Sequence, residues 1–119
     1  MSDDTPRLVF KIAAKAAWQD ACATGTFHGS ADDVRDGFIH LSAQHQLAGT
    51  LARHFKGQSE LLLITFDAAT LGSALRWEPS RGGDLFPHLY APLPTGAATA
   101  VRALAVGPDG TPALPEDLQ

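Results

Sequence analysis

Hydrophobic positions near the start of the chain recur with a period of two. In Leu8-Val9-Phe10-Lys11-Ile12-Ala13, Leu8, Phe10 and Ile12 share one face and Lys11 takes the other, which is a strand pattern. The period then lengthens. Ala14, Ala17, Trp18, Ala21 and Cys22 recur at helical spacing and Gly25 supplies a stop, so the pattern predicts a helix over Ala14–Thr24. Residues 26–37 are polar and turn-rich, with room for one helical turn at Ala31–Arg35 capped by Ser30. Phe38–Ser42 reads as a short strand entered through Gly37. Ala43–Phe55 reads as a second amphipathic helix with Leu47, Ala48, Leu51, Ala52 and Phe55 on its apolar stripe. Glu60–Phe66 is a continuous apolar run, which suits a central strand buried on both faces. Asp67 caps one further turn. Leu75–Glu78 is a strand ended by Pro79, and in Phe86–Tyr90 the proline at 87 predicts an edge or irregular strand. Thr99–Val106 is the last strand. Helices early and strands mostly later predict an α+β fold, with a bent or split, mainly antiparallel sheet and two principal helices. Residues 1–7 are expected to be a flexible tail, 8–106 one globular domain, and 107–119, with Pro108, Pro112 and Pro115, a second tail.

Composition narrows the class without naming a function. The 119 residues are 45% hydrophobic and 18% charged, an ordinary globular balance sufficient for one core. A net charge of −4 argues against a nucleic-acid partner held by its phosphates. No apolar run approaches the ~20 residues that span a bilayer, and the acidic, polar start does not resemble a signal peptide. The single Cys22 permits no intramolecular disulfide. A cytoplasmic protein is therefore expected. GxxxxGK[ST], GxGxxG, HExxH and GxSxG patterns are all absent.

Strand alternation carries the chemistry. Residues i and i+2 share a face, so Ile39 and Leu41 can face the core while His40 and Ser42 point away together. By the same rule Arg76 pairs with Glu78, and Phe86 with His88 and Tyr90. Convergence of these faces would form a cleft holding Lys11, His40, Ser42, Glu78, His88 and Tyr90. His40 would then bond Ser42, Glu78 or Tyr90. Each residue also has a structural role open to it. Ser42 can N-cap the following helix, Lys11 can be solvated, Glu78 can form a surface ion pair, and His88 and Tyr90 can serve packing. The Ser80–Asp84 loop can hold an anion through its backbone or be an ordinary turn. Nothing in the spacing favours a zinc site at His40, His88 and Glu78, and no metal is expected.

The strings Phe10-Lys11-Ile12, Asp36-Gly37-Phe38-Ile39-His40-Leu41-Ser42, Arg76-Trp77-Glu78 and Phe86-Pro87-His88-Leu89-Tyr90, together with Trp18, resemble the blocks of the bacterial domain-of-unknown-function 952 family. The likeness runs from about Leu8 to Val106; Ala91 stands where the family commonly has glycine. The resemblance groups the chain with the ADP-ribosyltransferases and RNA 2′-phosphotransferases, whose split sheet holds a nicotinamide-dinucleotide cleft. It implies NAD as a cofactor or ligand. By position Lys11 is similar to the polar residue of the first strand, where active transferases often carry histidine or arginine. His40–Ser42 is similar to the strand lining the nicotinamide pocket, and Glu78 or His88 to the ribose-orienting group. The resemblance thus implies catalytic roles for His40, Glu78 and His88 and binding roles for Lys11, Ser42 and Tyr90. Three functional classes follow: a transferase or glycohydrolase acting on an NAD-like nucleotide, a non-catalytic small-molecule sensor, and an interaction domain with a vestigial cleft.

Overall fold

The computed structural model describes residues 6–119, and for Arg81 the backbone alone. Ten strands and four α-helices follow in chain order among these residues. They are β1 (Leu8–Ala14), α1 (Lys15–Thr24), β2 (Thr26–Phe27), α2 (Ala31–Asp36), β3 (Ile39–His40) and α3 (Leu47–His54). β4 (Leu61–Asp67), α4 (Ala68–Leu71), β5 (Leu75–Pro79), β6 (Leu85–Leu89), β7 (Leu93–Pro94), β8 (Ala98–Ala103), β9 (Ala105–Val106) and β10 (Pro112–Ala113) complete the chain.

Two three-stranded sheets, ordered β1-β4-β8 and β3-β6-β5, make the frame, and every pairing in them is antiparallel. The fold is α+β. β4 is the central strand that its apolar run predicts, buried from Leu61 to Phe66. Its alternation feeds two cores. Leu62, Ile64 and Phe66 join Val9, Trp18, Ile39, Leu41 and Leu89 on one side, while Leu61 and Leu63 join Phe10, Ile12, Leu47 and Leu51 on the other. Trp18 anchors α1 in the first core against the rings of Phe27 and Phe66, at 5.8 and 6.2 Å between centroids. Each large apolar side chain so buried contributes about 1.5–3 kcal/mol. The α1 stripe is narrower than predicted: Trp18 and Ala21 are buried, but Ala17 and Cys22 are exposed.

The sheets are stitched where Phe10 and Ser42 exchange backbone bonds, Phe10 N to Ser42 O at 2.8 Å and Ser42 N to Phe10 O at 2.9 Å. This bridge brings β1, and Lys11 with it, against β3.

Two expectations are corrected. β6 is not an edge strand but the centre of its sheet, despite Pro87. The Pro87 carbonyl accepts from Leu41 N at 3.0 Å, so the missing N–H falls on the same side, just past the end of the two-residue β3, where little ladder is lost. Residues 107–119 carry β10, paired with β9, and Leu114 and Leu118 pack on the second core. Prolines at a turn and in a two-residue edge strand leave that packing intact. Residues 1–5 of the expected first tail lie outside the described residues. No helix among the described residues is long and apolar enough to cross a membrane.

Candidate functional site

The short helix α2 organises the site. Ser30 caps it: Ser30 Oγ accepts from Asp33 N at 3.3 Å, and Asp33 Oδ2 accepts from Ser30 N at 2.8 Å. This reciprocal pair is a capping box, and Gly37, at φ 85°, ends the helix in the left-handed region. The box turns Asp33 inward, to 2% exposure, while the side chain of its neighbour Asp32 stays 68% exposed. Gly29 makes the turn possible. Its φ is 111°, and a Cβ there would stand 2.7 Å from Asp33 Cβ.

Asp33 accepts four hydrogen bonds. Oδ1 takes His40 N at 3.0 Å and His40 Nδ1 at 2.6 Å; Oδ2 takes Ser30 N and, at 2.9 Å, Lys11 Nζ. Four donors fill the lone-pair positions of one carboxylate. Burial alone works to raise the Asp33 carboxyl, but the His40 hydrogen bond and the Lys11 charge outweigh it and hold the group well below the usual carboxylate range. Burial pushes the Lys11 ammonium down, against the opposing pull of Asp33. Lys11 is only 5% exposed and also donates to His40 O at 3.0 Å. The polar face of β1 thus carries a buried ion pair.

His40 is held from both ends. Its Nδ1 meets Asp33, and its Nε2 lies 3.0 Å from Asp36 Oδ2. A neutral imidazole carries one N–H, so only the doubly protonated ring satisfies both carboxylates. The expected partners Ser42, Glu78 and Tyr90 are not the ones His40 uses. Ser42 is not a helix cap either: its Oγ lies 3.2 Å from Thr50 Oγ1, and the next turn is closed by Gln46 Oε1, which accepts from Ala43 N at 2.9 Å.

A second carboxylate–histidine pair stands beside the first. The β3–β6 register sets His40 opposite His88, and the β5–β6 register sets Arg76 opposite His88. Their rings are 5.7 Å apart, with Phe38 stacked on His88 at 4.1 Å. His88 Nδ1 meets Glu78 Oε1 at 2.8 Å, and Tyr90 donates to the same oxygen at 2.6 Å. The Tyr90 hydroxyl, then the His88 N–H, hold the Glu78 carboxyl below its ordinary value, and Glu78 raises the Tyr90 phenol in turn.

A pocket of about 300 Å³ opens where β1, α2, β3, α3 and β6 meet. Lys11, His40, Ser42 and His88 line it, with Asp33 and Asp36. Glu78 and Tyr90 do not line it: Glu78 reaches it only through His88 Nδ1, and Tyr90 only through Glu78. Asp33, Asp36, Thr50 and His54 belong to the pocket but were not anticipated. The Ser30-Ala31-Asp32-Asp33 box is the one sequence signal that pointed to Asp33. Among the described residues no three His, Cys, Asp or Glu side chains are grouped to hold a metal ion. A wider depression of about 810 Å³ beside Pro6, Leu8, Leu114 and Leu118 contains none of the six candidate residues.

Fold and site together define an α+β domain with a polar pocket built around two carboxylate–histidine pairs. The chain belongs to the family described as protein of unknown function (DUF952), whose profile matches residues 12–101. It is similar to protein CC0527 from Caulobacter crescentus. The crystal structure of that protein is 48% identical with a TM-score of 0.90, covering 93% of this chain and 97% of the other. Its solution NMR structure, also 48% identical, gives a TM-score of 0.80 over 88% and 90% of the two chains. No curated protein matches the sequence.

Proposed function

We propose that this domain binds a nucleotide-like ligand of the NAD or ADP-ribose type, taking its nucleoside end into the pocket between β1, β3 and β6. The observation that carries this reading is the convergence of Lys11, His40, Ser42 and His88 on one pocket of about 300 Å³. That volume lies at the small end of ligand pockets and suits a nucleoside rather than a whole dinucleotide. Phe10 and Phe86 offer apolar walls, and Ser42 and Ser80 bring hydroxyls to the lining. Asp32 and Asp36 bring negative charge to the lining, which suits the cationic nicotinamide-ribosyl end. The two three-stranded sheets joined at Phe10 and Ser42 support the comparison with the split sheet of ADP-ribosyltransferases. The lysine charge is already matched by Asp33, so Lys11 holds the pocket wall and leaves phosphates to the outer surface.

A specific observation favours a sensor as the second reading. Lys11, Asp33 and His40 satisfy one another, an arrangement suited to recognition without chemistry. Calorimetric titration with NAD and with ADP-ribose tests binding directly. Saturable heat from at least one of them is the expected result. No heat from either ligand would overturn the reading.

A further inference from the structure

The sheet beside the pocket ends in a strand whose charges are complementary to themselves. β5 is an outer strand of the β3-β6-β5 sheet, and β6 pairs with one side of it. Tyr90 N donates to Ala74 O at 2.8 Å, which makes residues 74 and 90 a hydrogen-bonded pair. Such pairs alternate along an antiparallel ladder, so the backbone groups of Leu75, Trp77 and Pro79 point away from β6. Leu75 N already donates to Gly72 O, and Pro79 has no N–H, so Trp77 carries the one outward backbone donor of β5. The Trp77 side chain is half-buried. With Leu75, Pro79 and the exposed Leu85 it forms an apolar rim on the core side of the sheet. Arg76 and Glu78 stand on the other side. Arg76 is exposed, lies 5.3 Å from the centre of the Tyr90 ring and makes no ion pair among the described residues. His88 and Tyr90 both use Glu78 Oε1, and among the described residues no hydrogen bond reaches Oε2.

We infer that a second copy of this chain pairs antiparallel along β5, about a two-fold axis at Trp77, to form a symmetric dimer. An antiparallel hydrogen-bonded pair exchanges one N–H···O bond each way. With one donor on each strand, that pair is Trp77 against the partner's Trp77. The register then follows. Arg76 faces the partner's Glu78, and Glu78 faces the partner's Arg76, in non-hydrogen-bonded pairs with the closer Cα spacing of about 4.5 Å. A register displaced by two residues would instead set Arg76 on Arg76 or Glu78 on Glu78. Leu75 meets the partner's Pro79, so the apolar rims of the two copies adjoin. β8, an outer strand of the other sheet, offers no such match: Arg102 is its one charge and is held by Asp117 at 2.8 and 3.0 Å. The pairing closes after two copies, the commonest symmetry of soluble oligomers. It also reaches the pocket. The partner's Arg76 meets the carboxylate that holds His88 Nδ1, so the dimer contact and the pocket share Glu78.

Sedimentation equilibrium of the whole chain tests this. Contact along two short strands falls at the weak end of specific interfaces, below about 1,200 Å², so concentrations from about 1 μM to 1 mM are covered. The mass should rise from 12.5 kDa toward twice that value. Arg76→Glu sets Glu on Glu in both pairs and should weaken association at least ~10-fold. Glu78→Arg sets Arg on Arg and should do the same. An equimolar mixture of the two variants restores both opposite-charge pairs and should associate at least ~10-fold more tightly than either variant alone. Val101→Lys, at an exposed position of β8, should leave association unchanged. Thermal melts check that each variant folds. Arg76→Glu keeps the bonds of Glu78 to His88 and Tyr90, and it decides the matter alone if Glu78→Arg does not fold. Wild-type protein that keeps the mass of one chain up to about 1 mM, or Arg76→Glu that associates like wild type, overturns the inference. So does a mixture of folded variants no tighter than its components, or loss of association in Val101→Lys.

Discussion

Replacing Asp33 with Ala should be among the most damaging single changes in the molecule. The side chain is 2% exposed and accepts from Ser30 N, His40 N, His40 Nδ1 and Lys11 Nζ. Its removal leaves an ammonium whose side chain is 6% exposed with the His40 carbonyl as its one hydrogen-bond acceptor among the described residues. Breaking one side of a buried ion pair costs about 3–5 kcal/mol. A domain of this size has only about 5–15 kcal/mol in total, so Asp33→Ala should bring it close to unfolding at 37 °C. Urea denaturation followed by tryptophan fluorescence, from Trp18 and Trp77 together, measures the loss. The cause is tested by adding Lys11→Met, which removes the stranded charge. The double variant should be more stable than Asp33→Ala alone. A loss below about 1 kcal/mol, the value of an exposed pair, or a double variant less stable than the single, would refute the account of the pair. The same pair predicts acid sensitivity. The folded carboxyl lies below its unfolded value of about 4, so its contribution is complete above that pH and is lost as pH falls through the folded value.

Gly29→Ala should cost about 1–3 kcal/mol, because its backbone is in a region that side chains disfavour and the new Cβ meets Asp33; thermal unfolding measures it. Gln46→Ala removes bonds to Ala43 N, Asp84 Oδ2 and Leu85 O and should cost about 1–3 kcal/mol by urea titration. Tyr90→Phe should return the Glu78 carboxyl toward its ordinary value, read by carboxyl ¹³C shifts across an acid titration.

Much of this architecture is legible in the chain. Leu61–Phe66 buries both faces because both sides of a central strand meet a core, and its composition says so. Alternation in Phe38–Ser42 places Ile39 and Leu41 in the core and His40 and Ser42 toward the pocket. Alternation cannot tell how far a shared face extends, so Glu78 and Tyr90 fall on the correct side of the sheet yet reach the pocket only through His88. Alternation puts Lys11 on the cleft side of its strand, but its burial is not legible there, because it depends on an acid 22 positions away. Asp33 looks like one of several acids on a short helical turn until the Ser30 box turns it inward. Sheet order is equally non-local: β6 becomes central, despite Pro87, because the two-residue β3 spares the missing N–H. The prolines after Gly107 suggest a tail, but Leu114 and Leu118 supply the packing that outweighs them.

The most direct test of the pocket as a ligand site is an amide ¹H–¹⁵N titration of the wild-type protein with ADP-ribose. Saturable shifts centred on Lys11, Asp33, His40, Ser42 and His88 are the result this account predicts. Absence of shifts, or shifts centred instead on His45, Leu114 and Leu118 at the wider depression, would contradict it.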